Sequence, residues 1–329
     1  MAKRVASSNI EPTEDNVALF RRVTENGTKT TCFFNNKGGV GKTTLVANLG
    51  AELALNFHAK VLVVDADPQC NLTQYVLPDE TTNEIYLSDN PESIFSVVRP
   101  LSFGKGYESA LPIRASSTFG FDIIIGDPRL ALQEDLLAGD WRDAKGGGMR
   151  GLRTTYVFAE LVRRAKELRY DFVFFDMGPS LGAINRAVLL AMDSFVVPMS
   201  IDVFSLWSIK NIGTIVSVWQ KDLQVGLSLA EEPEEVKALS PRGRLLFLGY
   251  VVQQHKERTG YDKKISAETG EQVKIKRRVQ AYEDIGAMFP DNVLKSLGTM
   301  FSVPNMAPHL YGLEKICIVF ISKRHPNIF

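Results

Sequence analysis

The sequence has few cysteines, no long apolar run and no excess of charge of either sign. Its three cysteines, Cys32, Cys70 and Cys317, are too scattered among 329 residues to form a disulfide framework or a metal-binding cluster. No apolar run approaches the roughly 20 residues of a membrane span. The polar N-terminus lacks the apolar core of a signal peptide. We therefore predict a protein of a reducing, cytoplasmic compartment without a stable membrane span.

The charge balance excludes attraction to nucleic acid by the molecule as a whole. Lysines and arginines number 38, as do aspartates and glutamates, so the formal net charge is zero. Any binding to nucleic acid must then use a local basic patch. Apolar residues make up 45% of the chain, which is enough for a large α/β core.

A glycine-rich turn at 35–44, with the sequence NNKGGVGKTT, is the most informative segment. An apolar, β-prone run at 30–34 precedes it, and leucines at helical spacing follow it. Strand, glycine-rich turn and helix form the context of a phosphate-binding loop, although Asn36 replaces the first glycine of the G-x-x-x-x-G-K-[ST] template. The alternative is a turn that only connects a strand to a helix. Such a turn would not need to match the phosphate-binding template over so many residues.

The residue types in this turn suit a bound nucleotide with Mg²⁺. Glycines let successive backbone N–H groups point into one concavity, and the dipole of the following helix adds to the attraction for anions. Lys42 can reach the β- and γ-phosphates, Thr43 can offer its hydroxyl to Mg²⁺, and Thr44 can touch the α-phosphate. The predicted nucleotide-binding residues are Lys37, Gly38, Gly39, Val40, Gly41, Lys42, Thr43 and Thr44.

The string KGGVGKTT resembles the deviant Walker A box of the ParA/MinD family of ATPases. Two further segments follow in the family's order, DADPQ at 65–69 and FFDMGPSLG at 174–182. The resemblance covers roughly residues 30–252. It implies ATP as the nucleotide, and a dimer in which Lys37 crosses to the phosphates of the partner. The family often has two prolines where this chain has Gly178 and Pro179, which suggests a subfamily.

The acidic residues of these two segments each follow a buried strand pattern, where ligands bind in open α/β sheets. The resemblance implies that Asp67 orients the attacking water near Mg²⁺ and that Asp176 holds the Mg²⁺ shell through water. Asp65 would be structural. Catalysis is thus assigned to Lys37, Lys42 and Asp67, and the metal to Thr43, Asp67 and Asp176. Alternatively, Asp67 only caps the next helix.

Alternation of apolar strand patterns with helical patterns predicts the fold class. Further strands are expected at 121–125, 194–199 and 245–252. The result is an α/β, three-layer P-loop NTPase fold, with a mostly parallel twisted sheet and helices on both faces. Trp207 and Trp219, on a helical pattern after the 194–199 strand, are interpreted as core residues.

The expected domain organisation is an N-terminal arm at 1–28 and a single ATPase domain at 29–329. Insertions are expected near 78–119, interpreted as a surface region with a short helix at 93–98, and near 139–151. The run KGGGMRG at 145–151 is interpreted as a flexible loop. From about residue 253 the chain is expected to diverge from the family.

The divergent region still contains candidate binding residues. Gln254, with its neighbours Gln253 and His255, follows a strand and is a candidate for contact with adenine. The segment 261–278 has six basic residues against three acidic ones, and it is either a DNA-binding patch or an ordinary solvated face. The candidate DNA contacts are Lys274, Lys276, Arg277 and Arg278. The apolar run 316–321 is interpreted as a buried strand or helix.

Three functions follow from this reading. The first is plasmid or chromosome partitioning by an ATP-dependent homodimer that binds DNA without sequence preference, in the cytoplasm or on the nucleoid. Such an ATPase is slow until a ParB-like partner activates it. The second is a MinD-like positioning or regulatory ATPase that acts on a protein complex or a membrane, and the third is a metabolic P-loop phosphotransfer enzyme.

Overall fold

The computed structural model describes residues 12–108, 110–239, 245–254, 257–265, 272–278 and 288, with side chains to Val252 and at Met288. Two of the sequence-based interpretations, those for His255 and for the apolar run at 316–321, lie outside the described residues.

A seven-stranded sheet forms the centre of the fold. Its strands are β1 Lys29–Phe33, β2 Val61–Asp65, β3 Ile113–Ala115, β4 Asp122–Ile124, β5 Phe172–Asp176, β6 Ser194–Ser200 and β7 Leu246–Gln254. Their spatial order is β3-β4-β2-β5-β1-β6-β7, and of these seven only the edge strand β3 runs antiparallel. The described chain adds a separate antiparallel hairpin of β8 Glu257–Ile265 and β9 Gln272–Arg278. The predicted mostly parallel sheet is confirmed.

Helices pack on both faces of the sheet. They are α1 Glu14–Thr24, α2 Lys42–Asn56, α3 Asn71–Val76, α4 Asp79–Tyr86, α5 Ile94–Ser102, α6 Glu134–Lys145, α7 Met149–Thr155, α8 Val157–Glu167, α9 Ala183–Ala191, α10 Val203–Leu229 and α11 Glu234–Lys237, with a 3₁₀-helix at Pro128–Gln133. Alternate residues of β2 enter different cores. Leu62 and Val64 pack with α5 to α10, whereas Val61 and Val63 pack with α2 and α3. This arrangement confirms the predicted three layers.

The N-terminal arm contributes one helix that packs on the domain. The hydroxyl of Thr13 accepts a hydrogen bond of 3.3 Å from the backbone N–H of Asn16 and so caps α1. From that helix the ring of Phe20 lies 5.2 Å from Phe57 and 6.1 Å from Phe172. Residues 12–28 are therefore attached to the sheet through aromatic contacts.

The segment 78–119 is not a surface region throughout. The predicted helix at 93–98 is confirmed and extends to Ser102, with the Ser93 hydroxyl accepting a hydrogen bond from the backbone N–H of Phe95. Ile94 and Val98 of this helix are fully buried in the core. The segment also supplies β3, which the sequence analysis did not predict because a three-residue strand has too few positions for a pattern.

The glycine-rich run at 145–151 is a packed turn, so its interpretation as a flexible loop is wrong. A Cβ atom on Gly148 would lie 2.0 Å from Oδ1 of Asp143, and one on Gly151 would lie 2.2 Å from the carbonyl oxygen of Asp140. The glycines here allow α7 to fold back against α6. The glycines of the run are therefore explained by the close packing of α7 against α6, and not by flexibility.

Close packing also explains Gly226 of α10, and it gives a matched pair of substitutions. A Cβ atom on Gly226 would lie 2.0 Å from the carbonyl oxygen of Ala144. We expect Gly226→Ala to lower the free energy of unfolding by about 1–3 kcal/mol. Exposed Gly139 of α6 has no neighbour within 4 Å of such an atom, so Gly139→Ala should raise stability by about 0.5–1 kcal/mol. Urea unfolding of both variants checks this, and equal effects would contradict the packing.

Candidate nucleotide-binding site

The carboxyl ends of three adjacent strands bring the sequence motifs together. Strand β5 lies between β1 and β2, and Asp176 at its end is in register with Phe33 on one side and with Asp65 on the other. The loop after β1, the DADPQ segment after β2 and the end of β5 therefore meet at one edge of the sheet, where ligands bind in such folds.

The glycine-rich turn has the backbone geometry of an anion-binding loop. Gly39 and Gly41 have φ angles of 71° and 80°, in the left-handed region that favours glycine. A Cβ atom on Gly39 would meet nothing within 4 Å, so the backbone conformation and not a lack of space requires glycine there. Gly41 directly precedes α2, a helix of 15 residues. The loop thus ends at the positive end of a helix dipole.

Two asparagines attach the loop to β6 and α10. The side chain of Asn35 donates to the carbonyl oxygen of Pro198 at 2.7 Å and accepts from the backbone N–H of Lys37 at 2.9 Å. The hydroxyl of Ser208 on α10 makes short hydrogen bonds to the side-chain oxygens of Asn35 and Asn36. Of the two asparagines, Asn36 occupies the position of the first glycine in the usual template. No sequence pattern indicated Ser208, which lies more than 170 positions away along the chain.

Lys42 is buried beside two carboxylates. Burial lowers the pKa of its ammonium group, and the negative charges of Asp176 and Asp67 oppose that shift. Its Nζ lies 3.4 Å from the carbonyl oxygen of Lys37 on the same loop. A desolvated cation at the start of a helix is well suited to contact phosphate oxygens.

Thr43 and Asp176 lie side by side and carry oxygen atoms of the kind that divalent cations bind. The Thr43 hydroxyl donates to Oδ2 of Asp176 at 2.7 Å, whereas Oδ1 of Asp176 is buried and has no hydrogen-bond partner within the described residues. Burial and the neighbouring Asp65 raise the pKa of Asp176 to about 8, against the opposing effects of Thr43 and Lys42. A hydroxyl beside an unsatisfied carboxylate oxygen fits Mg²⁺.

This fit depends on few protein ligands. In the part of the chain that the structure describes, no three acidic, histidine or cysteine side chains converge as a preformed metal site.

The two acids of the DADPQ segment have different surroundings. Asp65 is fully buried, and its Oδ2 accepts hydrogen bonds from the backbone N–H and the hydroxyl of Thr73 at 2.9 and 2.6 Å. Burial raises its pKa to about 6, and the bonds from Thr73 limit that rise. Asp65 thereby fixes α3 against the sheet, in agreement with its predicted structural role.

Asp67 lies next to the segment that follows Asp176. Its Oδ1 accepts a hydrogen bond of 3.0 Å from the backbone N–H of Gln69, and a Cβ atom on Gly178 would lie 3.2 Å from the same oxygen. The alternative interpretation of Asp67 as a helix cap is wrong, because α3 begins at Asn71 and its N-cap is Cys70.

The side chain of Lys37 contacts the start of α10. Its ammonium group forms an ion pair with the carboxylate of Asp202, the N-cap residue of α10. Burial would raise the pKa of Asp202, but the ion pair with Lys37 and the hydrogen bonds from Ser205 lower it overall. Asp202 is therefore ionised at neutral pH. No sequence motif indicated this residue.

The remaining predicted residues are not described in contact with the side chains of Lys42, Thr43, Asp67 and Asp176. Val40 is buried, and Thr44 is exposed at the start of α2. Gln254 is the last residue of β7, in register with Ser200 of β6, and its side chain lies outside the described part. The basic residues Lys274, Lys276, Arg277 and Arg278 belong to β9, whose side chains also lie outside it.

Trp207 is not a core residue, so that prediction is wrong. Its side chain is 57% exposed, whereas Trp219 is 5% exposed and packs in the core as predicted. The buried stripe of α10 runs through Ile209, Ile212 and Val216, and Trp207 lies off that stripe. Nζ of Lys210 lies 5.1 Å from the centre of its ring.

Comparisons with known proteins identify relatives by sequence. A protein-family model with the description AAA domain matches residues 28–229. The virulence plasmid ParA family protein pGP5-D of Chlamydia psittaci is 29% identical over 60% of this chain and 66% of its own length. The probable plasmid-partitioning protein ParA of Thermus thermophilus is 31% identical over 64% of this chain and 53% of its own length. The chain thus spans about half to two thirds of these relatives.

Solved structures share the fold. A protein of Corynebacterium diphtheriae is 34% identical, with a TM-score of 0.63 over 69% of this chain and 83% of its own. Cobyrinic acid a,c-diamide synthase of Mycobacterium smegmatis, solved with bound ADP and magnesium, is 22% identical, with a TM-score of 0.51 over 80% of this chain and 82% of its own. Among the described helices, none has the length and apolar character to cross a membrane.

Proposed function

Because the chain belongs to the ParA/MinD family of ATPases, we propose that it is an ATP-switched, dimerising ATPase of a plasmid or chromosome partition system. It hydrolyses ATP to ADP and phosphate. The observation that carries the proposal is the meeting of Lys42, Thr43, Asp67 and Asp176 beneath a left-handed glycine loop at one edge of the sheet. The names of the plasmid relatives support the biological role.

The proposed mechanism divides the work among these residues. Lys42 and the loop amides neutralise the phosphates within one protomer, and Asp67 orients the attacking water. Thr43 and Asp176, together with Asp67, would hold Mg²⁺, which would supply neutralisation of the phosphate charge. Lys37 acts on the nucleotide of the partner protomer, as an arginine finger does. Little covalent chemistry is required, so turnover is slow until a ParB-like protein completes the site.

The dimer is proposed to bind DNA without sequence preference through the basic residues of β9. Lys274, Lys276, Arg277 and Arg278 lie in a hairpin outside the main sheet, where Arg277 is in register with Arg258 of β8. Each phosphate contact of such a surface steepens, by about 0.9, the fall of the logarithm of the binding constant with the logarithm of the salt concentration. ATP hydrolysis then separates the dimer and releases the DNA.

The test measures ATPase rate and DNA mobility shift on one sample, with ATP, ADP and no nucleotide. We expect DNA binding only with ATP. Asp67→Ala should bind DNA with ATP but fail to turn it over, since it keeps the phosphate contacts and loses the group that orients water. Replacing the four basic residues of β9 by alanine should leave the ATPase rate unchanged. It should reduce the steepness of log K for DNA against log salt concentration by up to about 4.

Other outcomes separate the alternatives. ATP hydrolysis without DNA binding at low salt would make the basic segment a solvated face and direct attention to a protein or membrane partner. Hydrolysis by Asp67→Ala at the wild-type rate would contradict the role of Asp67.

A further inference from the structure

The ion pair between Lys37 and Asp202 joins two parts of one protomer. Both side chains are partly exposed, at 34% and 26%. Asp202 also begins α10: its Oδ1 accepts from the backbone N–H of Ser205 at 3.0 Å, and its Oδ2 accepts from the Ser205 hydroxyl at 3.2 Å. The carboxylate therefore has two tasks, one in capping the helix and one in holding the lysine.

The same region of α10 holds the loop at a second point. Ser208 bonds to the side chains of Asn35 and Asn36, and Asn35 bonds to the backbone N–H of Lys37. The backbone of Lys37 is thus fixed by neutral hydrogen bonds, whereas its ammonium group is held by charge. The ammonium can therefore move to another anion while the loop and the start of α10 keep their contacts.

We propose that Asp202 is a positioning residue that holds Lys37 within its own protomer and so sets the ATP concentration at which a second copy of the chain is bound. The proposal rests on the role of Lys37 across the dimer given under the proposed function. One ammonium group cannot pair with Asp202 and also reach phosphates bound by a second copy. The apparent affinity for the partner is consequently reduced by the fraction of protomers in which Lys37 is free to leave.

The size of the effect follows from the exposure of the pair. A partly exposed ion pair favours the held state modestly, so its loss should lower the ATP concentration for half-maximal dimerisation by about 3- to 10-fold. The helix cap stays intact during exchange, because the backbone N–H of Ser205 donates to Oδ1 of Asp202, whereas Lys37 pairs with Oδ2.

Asp202→Asn separates the two tasks of the residue. Asparagine is as good an N-cap as aspartate but has no charge for Lys37. In ATP titrations of the full chain followed by light scattering, we expect the midpoint of dimerisation to fall 3- to 10-fold. The turnover rate per dimer at saturating ATP should stay the same, and the melting temperature should fall no further than it does on removal of another partly exposed ion pair of the same helix. A purely structural role would instead lower the melting temperature and leave the midpoint unshifted.

Asp222→Asn is the matched control. Asp222 lies on the same helix and pairs with Lys145 at 3.7 Å, with 33% of its side chain exposed. Its substitution removes an ion pair of α10 that does not involve the loop. We expect no change in the midpoint for this variant.

Lys37→Ala distinguishes failure of this proposal from failure of the proposed function. If Lys37→Ala prevents dimerisation but Asp202→Asn leaves the midpoint unchanged or raises it, Asp202 does not restrain Lys37 and only this proposal falls. If Lys37→Ala dimerises like the wild type, the role of Lys37 across the dimer fails, and this proposal falls with it. The double variant should behave like Lys37→Ala alone.

Discussion

Replacing Lys42 by alanine should reduce the ATPase rate by about 10²–10³-fold, the usual cost of removing one preorganised charge from a transition state. Lys42 is the buried cation of the site, placed at the N-terminus of α2 and beside the carboxylates of Asp176 and Asp67. Phosphate oxygens entering the loop would meet its ammonium group without having to reorganise water. Steady-state phosphate release with ATP and Mg²⁺ measures the loss.

Two further variants test whether the loss of ATPase rate in Lys42→Ala comes from the position of its charge. Lys42→Arg keeps the charge but replaces a compact ammonium by a planar fork, so it should also be strongly impaired if position matters. Lys221→Ala removes an exposed lysine of α10 and should retain full activity. Retention of more than about a tenth of the wild-type rate by Lys42→Ala would contradict electrostatic stabilisation by this residue.

Replacing Lys37 by alanine should reduce the ATPase rate by about 10³-fold, as the loss of an arginine finger does. Within its own protomer the ammonium group is paired with Asp202 at the start of α10. The variant should still bind ATP, because Lys42, Thr43 and the loop amides are unchanged. Nucleotide affinity near the wild-type value, together with lost turnover, is the expected signature.

Mixing two inactive variants tests whether Lys37 acts across the dimer. In a heterodimer of Lys37→Ala with Lys42→Ala, one site combines an intact Lys42 with an intact Lys37 of the partner, and the other site has neither. Equal mixing of two protomers in a symmetric dimer should therefore restore about a quarter of the wild-type rate. Each variant alone should stay inactive. A mixture as inactive as its components would show that Lys37 acts within its own chain.

Parallel strands could be predicted from the sequence because they are buried on both faces. Their residues form near-continuous apolar runs, and six predicted strands agree with β1, β2, β4, β5, β6 and β7 to within two residues. The ends of these strands also place the acids, since Asp65 and Asp176 terminate β2 and β5. The P-loop was predictable for a related reason, because its backbone conformation requires glycine at particular positions.

Other features were missed because the type of a residue does not specify which residues it packs against. Glycines at 145–151 suggested flexibility, but their spacing serves the close approach of α6 and α7. Trp207 suggested a core residue, but its position around α10 turns it to solvent. In both cases the residue type fits two structures, and only the packing of another element decides between them.

The sequence by itself determined the strand–loop–helix unit around Lys42, the order of the acidic strand ends and hence the class of fold, because each depends on residues close together in the chain. Tertiary structure alone decided the partners of those residues. Lys37 and Asp202 are 165 positions apart and meet because β1 and β6 are neighbours in the sheet. Side chains that reach across adjacent strands leave no local pattern, so neither the Lys37–Asp202 ion pair nor the hold of Ser208 on the loop could be read before the sheet was assembled.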